Sequence, residues 1–174
     1  MSSDASRRGA FWTWPRADSG WATSPRCVVT DSPQGAFPGA GGVVLVDTSV
    51  WVEVFRKGPS PFRLESIIDI EDIVTCLPVI QEVFQGFRDE KAFALARESM
   101  LCLPVVESPL SAEIFLDAVQ LYRTARRTGL TVRSGVDCLI AACALRHQLP
   151  VLHFDRDYEA LARISALEAR SIRP

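Results

Sequence analysis

Short apolar runs alternate with helical patterns from residue 43 onward, and this alternation restricts the fold more than any other feature. The first run, GVVLV, ends at Val46 and leads into a helical pattern capped by Thr48 or Ser49. Continuous apolar runs of this length are typical of strands buried on both faces of a parallel sheet. We therefore predict a three-layer α/β/α fold with a short parallel sheet of four or five strands.

The other elements follow from the same alternation. We predict strands at 72–76, 102–106 and 150–154, and helices at 48–58, 78–87, 89–100, 111–129, 134–148 and 157–167. Pro78 suits the first turn of its helix, and Gly58 and Gly129 suit the ends of theirs. Because a helix separates successive strands, the strands are expected to run parallel.

The chain divides into two unequal parts. Residues 1–42 are rich in Gly, Pro, Ser and Ala and show no helical or strand period, which predicts a disordered N-terminal extension. A start assigned too far upstream would explain the same segment, since Val43 and Val44 stand where the compact domain begins and bacteria can initiate at valine codons. Residues 43–174 are predicted to form one domain.

The overall charge and the cysteines limit the class of protein. The net charge of −2 excludes a generally basic nucleic-acid coat, so nucleic-acid contact would need a local basic patch. No apolar run approaches the ~20 residues that span a bilayer, and the N-terminus lacks the apolar segment of a secretory signal. The five cysteines form no CxxC pair and are interpreted as buried free thiols. We predict a cytoplasmic protein without membrane contact.

Four acidic residues fall where strands end or where the following helices begin. Asp47 follows the first strand and Asp155 the fourth, while Glu82 and Asp137 lie in the first turns of their helices. In an open parallel sheet these positions share one edge, where chemistry collects. Taken singly, Asp137 has another explanation as a capping acid, and Glu82 as a solvated helix residue. A carboxylate directly after a buried strand, however, must be solvated, paired or bound to a metal.

These acids together predict an all-oxygen site for a hard divalent cation, Mg²⁺ or Mn²⁺. A cation there would remove the mutual repulsion of the carboxylates and could activate a water molecule toward a phosphodiester. The sequence has no P-loop, no GxGxxG segment and no Cys/His spacing typical of zinc. A structural role is expected for His153.

Four segments resemble the PIN-domain ribonucleases, and most of all the VapC toxins of bacterial toxin–antitoxin pairs. They are VVLVDTSVWVEVF, VIQEVFQGF, RTARRTGLTVRSGVDCLIAACAL and LPVLHFDRDYEALA, spanning about residues 43–170 in the family's order. The resemblance implies a PIN-like α/β/α fold and Mg²⁺-dependent endonucleolytic cleavage of RNA.

The family motifs also imply roles for the acids. Asp47 matches the first metal-binding aspartate, Glu82 the family's helical glutamate, and Asp137 the aspartate before the LIAA segment. Asp155 matches the first acid of the D-x-D ending and is preferred as the fourth acid, with Asp157 as the alternative. These four are expected to be catalytic: the three aspartates hold the metal directly or through water, and Glu82 orients the attacking water or completes the second coordination. Cleavage would leave a 5′-phosphate and a 3′-hydroxyl.

One basic cluster lies at and after the end of the helix predicted at 111–129. Its members are Arg123, Arg126, Arg127 and Arg133. They are interpreted either as a phosphate cradle that leads RNA to the acids or as a solvated helix end that complements the helix dipole. Thr48 and Ser134 are predicted to hydrogen-bond to the metal ligands or to phosphate.

The resemblance implies two protein partners, an antitoxin and a second copy of the chain in a homodimer. If partly exposed, Trp51, Val52 and Phe55 would form a groove for an antitoxin helix, and the alternative is that they belong to the core.

Two rival functions are considered. A receiver-like Mg²⁺-binding regulatory domain would carry paired acids soon after the first strand and a lysine at the end of the last, and neither is present. A catalytically inactive PIN-like RNA-binding module would keep the acids only for folding.

Overall fold

A computed structural model describes residues 42–56 and 60–172. The strands in these ranges are β1 (Val44–Val46), β2 (Ile73–Cys76), β3 (Val105–Val106), β4 (Val151–His153) and β5 (Ala169–Ser171). The helices are α1 (Thr48–Val54), α2 (Leu77–Gln85), α3 (Glu90–Leu101), α4 (Ala112–Arg127), α5 (Gly135–Arg146) and α6 (Asp157–Ala162). The predictions for residues 1–41 and for Gly58 fall outside the described residues.

The strands form one parallel sheet in the order β3-β2-β1-β4-β5. Every residue of β1, β2 and β4 is buried, as expected for strands covered by helices on both faces. The predicted α/β fold with a parallel sheet is therefore confirmed, and the sheet has five strands. The order differs from the 2-1-3-4-5 order of receiver domains, so the receiver hypothesis does not fit.

The order in which strands are added to the sheet reverses beside β1. The chain adds β2 and β3 on one side of β1 and then places β4 and β5 on the other side. Leu45 of β1 is in register with Val74 of β2 and with Val151 of β4. In such sheets the crevice for ligands opens at the carboxyl ends of the strands where the order reverses. That crevice lies where β1 and β4 end.

The N-cap of helix α1 lies at least one residue earlier than the sequence indicates. Asp47, and not Thr48 or Ser49, is the N-cap: it has extended backbone angles, and its carboxylate accepts a hydrogen bond from the backbone N–H of Ser49. Aspartate is among the preferred N-cap residues because its oxygen satisfies an amide that the helix leaves unpaired. The same carboxylate therefore ends β1 and starts α1.

The apolar face of α1 belongs to the core. Trp51 and Phe55 are 2% and 3% exposed, which agrees with the alternative that they belong to the core, and Val52 is half-buried. The indole N–H of Trp51 donates to the carbonyl of Val46 at 3.2 Å, and its ring stacks on Phe55 with centroids 5.6 Å apart. Phe55 in turn contacts Phe87. This aromatic row packs α1 against the rest of the domain.

The C-terminal part differs most from the sequence prediction. The helix predicted at 157–167 ends at Ala162 and is followed by β5, which the sequence did not locate. The hydroxyl of Ser165 donates to the carbonyl of Leu161 at 2.7 Å and accepts the N–H of Leu167. Ser165 thus forms local hydrogen bonds in the turn between α6 and β5, as serine side chains often do in turns.

The cysteine prediction is confirmed in part. Cys76, Cys138 and Cys143 are free and buried. Cys102 departs from the expectation, because it is disulfide-bonded. Among the helices of the described ranges, none has the length and hydropathy that crossing a membrane would require.

Candidate active site

Asp47 is buried at the end of β1 and is held by three hydrogen bonds. Its Oδ2 accepts the backbone N–H of Ser49 at 2.8 Å and the Ser49 hydroxyl, and its Oδ1 accepts the hydroxyl of Tyr158 at 2.5 Å. Burial raises the pKa of the Asp47 carboxyl above its usual value, and these hydrogen bonds oppose the rise. The protein therefore fixes a carboxylate at the place where the sheet reverses its order.

Two residues that sequence reasoning missed connect the elements around Asp47. The Ser49 hydroxyl also accepts the backbone N–H of Phe154 at 2.8 Å, so it joins the end of β1 to the residue after β4. Tyr158 reaches Asp47 from α6, and its ring lies 5.1 Å from the ring of His153. The sequence showed Tyr158 only as an aromatic residue after the D-x-D ending, without a reason for its hydroxyl.

Glu82 faces the same region from α2. Its Oε2 accepts the hydroxyl of Thr48 at 2.8 Å, which is a direct contact between two of the predicted site residues. Partial burial raises the pKa of the Glu82 carboxyl, and the negative charge of Asp47 raises it further. Glu82 is thus oriented toward Asp47 and is no isolated solvated helix residue.

Asp137 is the third residue of α5, whose N-cap is Ser134. The Ser134 hydroxyl accepts the backbone N–H groups of Val136 and Asp137, at 3.1 and 3.3 Å. Within the described ranges no group donates a hydrogen bond to the Asp137 carboxylate, so the reciprocal bond of a capping box is not made. Ser134 makes the predicted cap, and Asp137 is left to face the other acids.

The electrostatics show that the acids share one site. The pKa of Asp137 is raised to about 8, first by burial and then by the negative charges of four other carboxylates. In order of effect, those carboxylates belong to Asp47, Asp155, Glu82 and Asp157. Like charges disfavour ionisation of a neighbour when they lie close to it in a medium of low dielectric constant. The structure therefore brings all five acids named in the sequence analysis to one place.

Asp155 and Asp157, after β4, are both bound by Arg133. The Nε–H of Arg133 donates to Asp157 Oδ1 at 3.0 Å, and an Nη2–H donates to Asp155 Oδ1. The backbone N–H of Arg133 also donates to Asp157 Oδ2 at 2.6 Å. Arg133 was predicted to bind RNA, and the structure gives its guanidinium two acids of the cluster as partners.

The other three arginines of the basic cluster have a different environment. Arg123, Arg126 and Arg127 are exposed in the last turns of α4, and none forms an ion pair with a carboxylate in the described part of the chain. Arg126 lies over the ring of Tyr122, 5.9 Å from its centroid. These side chains present positive charge and an aromatic ring to solvent.

Carboxylate oxygens are the ligands that Mg²⁺ prefers, but the acidic side chains do not surround a common point as metal ligands would. In residues 42–56 and 60–172, no group of three or more Asp, Glu, His or Cys side chains is positioned to hold a metal ion. Asp47, Glu82 and Asp155 are each hydrogen-bonded to a donor of the protein. Asp137, with its raised pKa, is the group that a nearby cation would relieve most.

Similarity to known proteins agrees with this architecture. Residues 44–164 match the family model of the PIN domain. Ribonuclease VapC11 of Mycobacterium tuberculosis is 38% identical over 135 residues, which cover 75% of this chain and 100% of the relative. VapC ribonuclease Mb1587 of Mycobacterium bovis gives the same identity and coverage.

Solved structures share the fold at low sequence identity. VapBC2 of Rickettsia felis, solved with a DNA fragment from its promoter, has a TM-score of 0.60 at 17% identity, covering 75% of this chain and 99% of that one. VapBC-5 of Mycobacterium tuberculosis, a member of the VapBC family of toxin–antitoxin systems, has a TM-score of 0.55 at 20% identity, covering 75% and 99%.

The family match, the VapC relatives and the acids at the carboxyl ends of β1 and β4 agree with one another. The chain therefore belongs to the PIN-domain family, in its VapC group.

Proposed function

We propose that this protein is a Mg²⁺-dependent endoribonuclease and the toxic component of a toxin–antitoxin pair, with Mn²⁺ as an alternative cofactor. The observation that carries the proposal is the gathering of five carboxylates where the sheet reverses its order, with the pKa of Asp137 raised to about 8. Repulsion between neighbouring carboxylates destabilises the folded protein, and a bound cation offsets it. The names of the relatives, ribonuclease VapC11 and VapC ribonuclease, support RNA as the substrate.

The mechanism assigns a task to each acid. Asp47, Asp137 and Asp155 would hold Mg²⁺, directly or through water. Mg²⁺ bound there supplies a Lewis acid that lowers the pKa of a water molecule and neutralises charge on the phosphate. Ser49 and Tyr158 keep the Asp47 carboxylate in place for this task.

Glu82 would orient the attacking water. Its Oε2 is taken by Thr48, which leaves Oε1 to accept a hydrogen bond from that water. The water oxygen would form a bond to phosphorus as the bond from phosphorus to the 3′ oxygen breaks, and the departing 3′ oxygen would take up a proton that replaces the one the water loses. The products then carry a 5′-phosphate and a 3′-hydroxyl. Arg123, Arg126 and Arg127 would bind the flanking phosphates, because they are exposed and carry no carboxylate partner in the described residues.

We base the proposal of an antitoxin on the structural neighbours, which come from toxin–antitoxin systems. VapBC-5 belongs to a family of toxin–antitoxin systems, and the shared fold makes a VapB-type protein the expected partner of this chain in the cytoplasm. Because Trp51 and Phe55 are buried, an antitoxin would have to use another surface. Expression of the chain should arrest bacterial growth, and coexpression of the gene next to it upstream should relieve the arrest.

The homodimer is also a proposal. Phe115, Leu116 and Val119 are 51%, 68% and 54% exposed, and they lie together in the first half of α4. The opposite side of this helix is buried through Ile114 and Ala118. Large apolar side chains grouped on one helix face are typical of surfaces that another protein covers. A second copy of the chain, meeting the first through α4, is the occupant we propose.

RNA cleavage assays test the enzymatic proposal. The purified chain is incubated with structured RNA in Mg²⁺, in Mn²⁺ and in EDTA, and the ends of the products are identified. We expect cleavage with either metal, no cleavage in EDTA, and loss of cleavage in D47N and D137N, which lack a charged ligand. E98Q, which changes an exposed acid of α3, is the matched control and should cleave normally.

Two results would contradict the proposal. Full activity of D47N or D137N would remove the metal-site argument. Binding of RNA without any cleavage, in every metal tested, would favour the inactive RNA-binding module instead.

A further inference from the structure

We propose that Arg133 and Asp157 form a clamp that positions Asp155 relative to Asp137, and that Asp157 is not itself a metal ligand. The inference rests on the proposed function, since it concerns how the acids of that site are arranged. It gives the two acids of the D-x-D ending different tasks and gives Arg133 a task other than binding RNA.

The contacts of Asp157 occupy both of its oxygens. Oδ2 accepts the backbone N–H of Arg133 at 2.6 Å, and Oδ1 accepts the Nε–H of the same residue at 3.0 Å. The Asp157 side chain is only 5% exposed. One arginine binds both oxygens of this buried carboxylate, so it neutralises the charge and fixes the orientation of the side chain. Asp157 therefore gains little from binding a metal ion.

Asp155 is bound on one oxygen only. Its Oδ1 accepts an Nη2–H of Arg133 and the backbone N–H of Asp157, the latter at 3.0 Å. In the described residues no donor reaches Oδ2, and the side chain is 34% exposed. The clamp therefore holds Asp155 in one orientation and leaves an oxygen that a cation can use.

The positions of the two residues in the chain show what the clamp connects. Arg133 directly precedes Ser134, the N-cap of α5, and Asp137 lies in the first turn of that helix. Asp157 lies 24 residues after Arg133, just beyond β4. The clamp thus joins the start of α5 to the turn after β4, the two backbone segments that carry Asp137 and Asp155. An Arg side chain can do this because its fork donates to two carboxylates at once.

The test measures Mn²⁺ binding by calorimetry, and urea unfolding in EDTA, for the full chain. D155N should raise the Kd for Mn²⁺ at least about tenfold, because it loses a ligand. R133Q and D157N should each raise this Kd about tenfold, as changes to residues that orient a ligand do, and each should lower the urea midpoint. The double variant R133Q/D157N should lose less in both measurements than the sum of the two single variants, because each single variant already removes the contact between Arg133 Nε and Asp157 Oδ1.

Two further variants complete the set. R133K keeps the positive charge but not the fork, and its Kd and midpoint should fall between those of the unmodified chain and R133Q. R170Q removes an arginine from an exposed ion pair with Glu168, 2.7 Å long, and should change neither measurement.

Three outcomes would overturn the clamp. If Asp157 is a ligand, D157N abolishes Mn²⁺ binding while R133Q leaves it unchanged. If Arg133 serves RNA alone, R133Q weakens RNA binding without changing the Kd for Mn²⁺ or the urea midpoint. Additive losses in the double variant would show two independent roles. Should the unmodified chain bind no Mn²⁺, the proposed function fails, and the unfolding data still decide whether the two residues act as one unit.

Discussion

Asp137 is the residue whose ionisation is opposed by burial and by the charges of four neighbouring carboxylates. Its pKa of about 8 means that, without a cation, the folded protein keeps a proton that the unfolded chain releases near pH 4. The folded state therefore binds more protons than the unfolded state between these two values. By linkage, the contribution of Asp137 to the free energy of unfolding falls as pH rises through this interval and changes no further above the folded pKa.

Replacing this carboxyl by an amide removes that pH dependence. We expect D137N in EDTA to be more stable than the unmodified chain by about 1–3 kcal/mol at pH 8, with a smaller difference at pH 5. Urea unfolding across this range measures the effect, and E98Q is the control. A D137N variant that is less stable at every pH would show that the carboxylates do not repel one another in the folded protein.

The hydrogen bond from Tyr158 to Asp47 gives a second prediction at the residue scale. Y158F keeps the ring beside His153 and removes only the hydroxyl that reaches Oδ1 of Asp47. Because the carboxylate is buried, losing this donor should lower the free energy of unfolding by about 1–2 kcal/mol. Urea unfolding at neutral pH measures it.

Tyr122 provides the matched control for this prediction. Its hydroxyl makes no hydrogen bond within the described ranges, and its ring contacts Arg126. Y122F should therefore leave the unfolding midpoint unchanged. Equal stabilities of Y158F and the unmodified chain would mean that Ser49 alone holds Asp47.

At the scale of elements, the sequence correctly predicted those helices and strands that a regular pattern of apolar residues defines. Strands β1, β2 and β4 and helices α2 to α5 lie within a few residues of their predicted bounds. Strand β5 was not located because Ala169–Ser171 is partly exposed and lies at the edge of the sheet, so it carries no continuous apolar run. The turn that follows α6 contains a hydrogen bond from the Ser165 hydroxyl to the carbonyl of Leu161, which the apolar pattern does not reveal.

The candidate site was predictable to the same degree. Four carboxylates could be placed at one edge because each follows a strand or begins the next helix. The contacts that orient them could not, since Ser49 meets Phe154 and Tyr158 meets Asp47 across more than 100 residues of sequence. The same is true of Arg133, which looked like part of a basic helix end until its partners were known.

The C-terminal turns of α4 carry a prediction about RNA. The double variant R126Q/R127Q removes two exposed charges that have no carboxylate partner in the described part of the chain. The Kd for RNA should rise severalfold, and the slope of log K against log salt should fall by about 0.7 for each RNA phosphate that the variant leaves without a cationic partner. Filter binding in Ca²⁺, at several salt concentrations, measures both, and R63Q, from an exposed ion pair with Glu65, is the control. An unchanged salt slope would favour the alternative interpretation, a solvated helix end.

At the scale of the whole molecule, the exposed face of α4 predicts the oligomeric state. L116E places a charge on the most exposed apolar side chain of that face, which is 68% exposed. We expect the unmodified chain to sediment as a dimer and L116E as a monomer, with equal unfolding midpoints at low protein concentration. L95E, a change at an exposed leucine of α3, is the control and should remain dimeric. A dimer that persists in L116E would place the interface elsewhere.

The extent of the functional unit is the last prediction. The described fold starts at Gly42, the PIN match covers 44–164, and the VapC relatives align over their full length to 75% of this chain. The elements that carry the acids, from β1 to α6, all lie after Val43. A chain that begins at Val43 should therefore keep the Kd for Mn²⁺ and the cleavage rate of the full chain. Parallel measurements on the two chains decide the matter, and a shorter chain that folds but no longer cleaves would assign residues 1–42 a part in the activity.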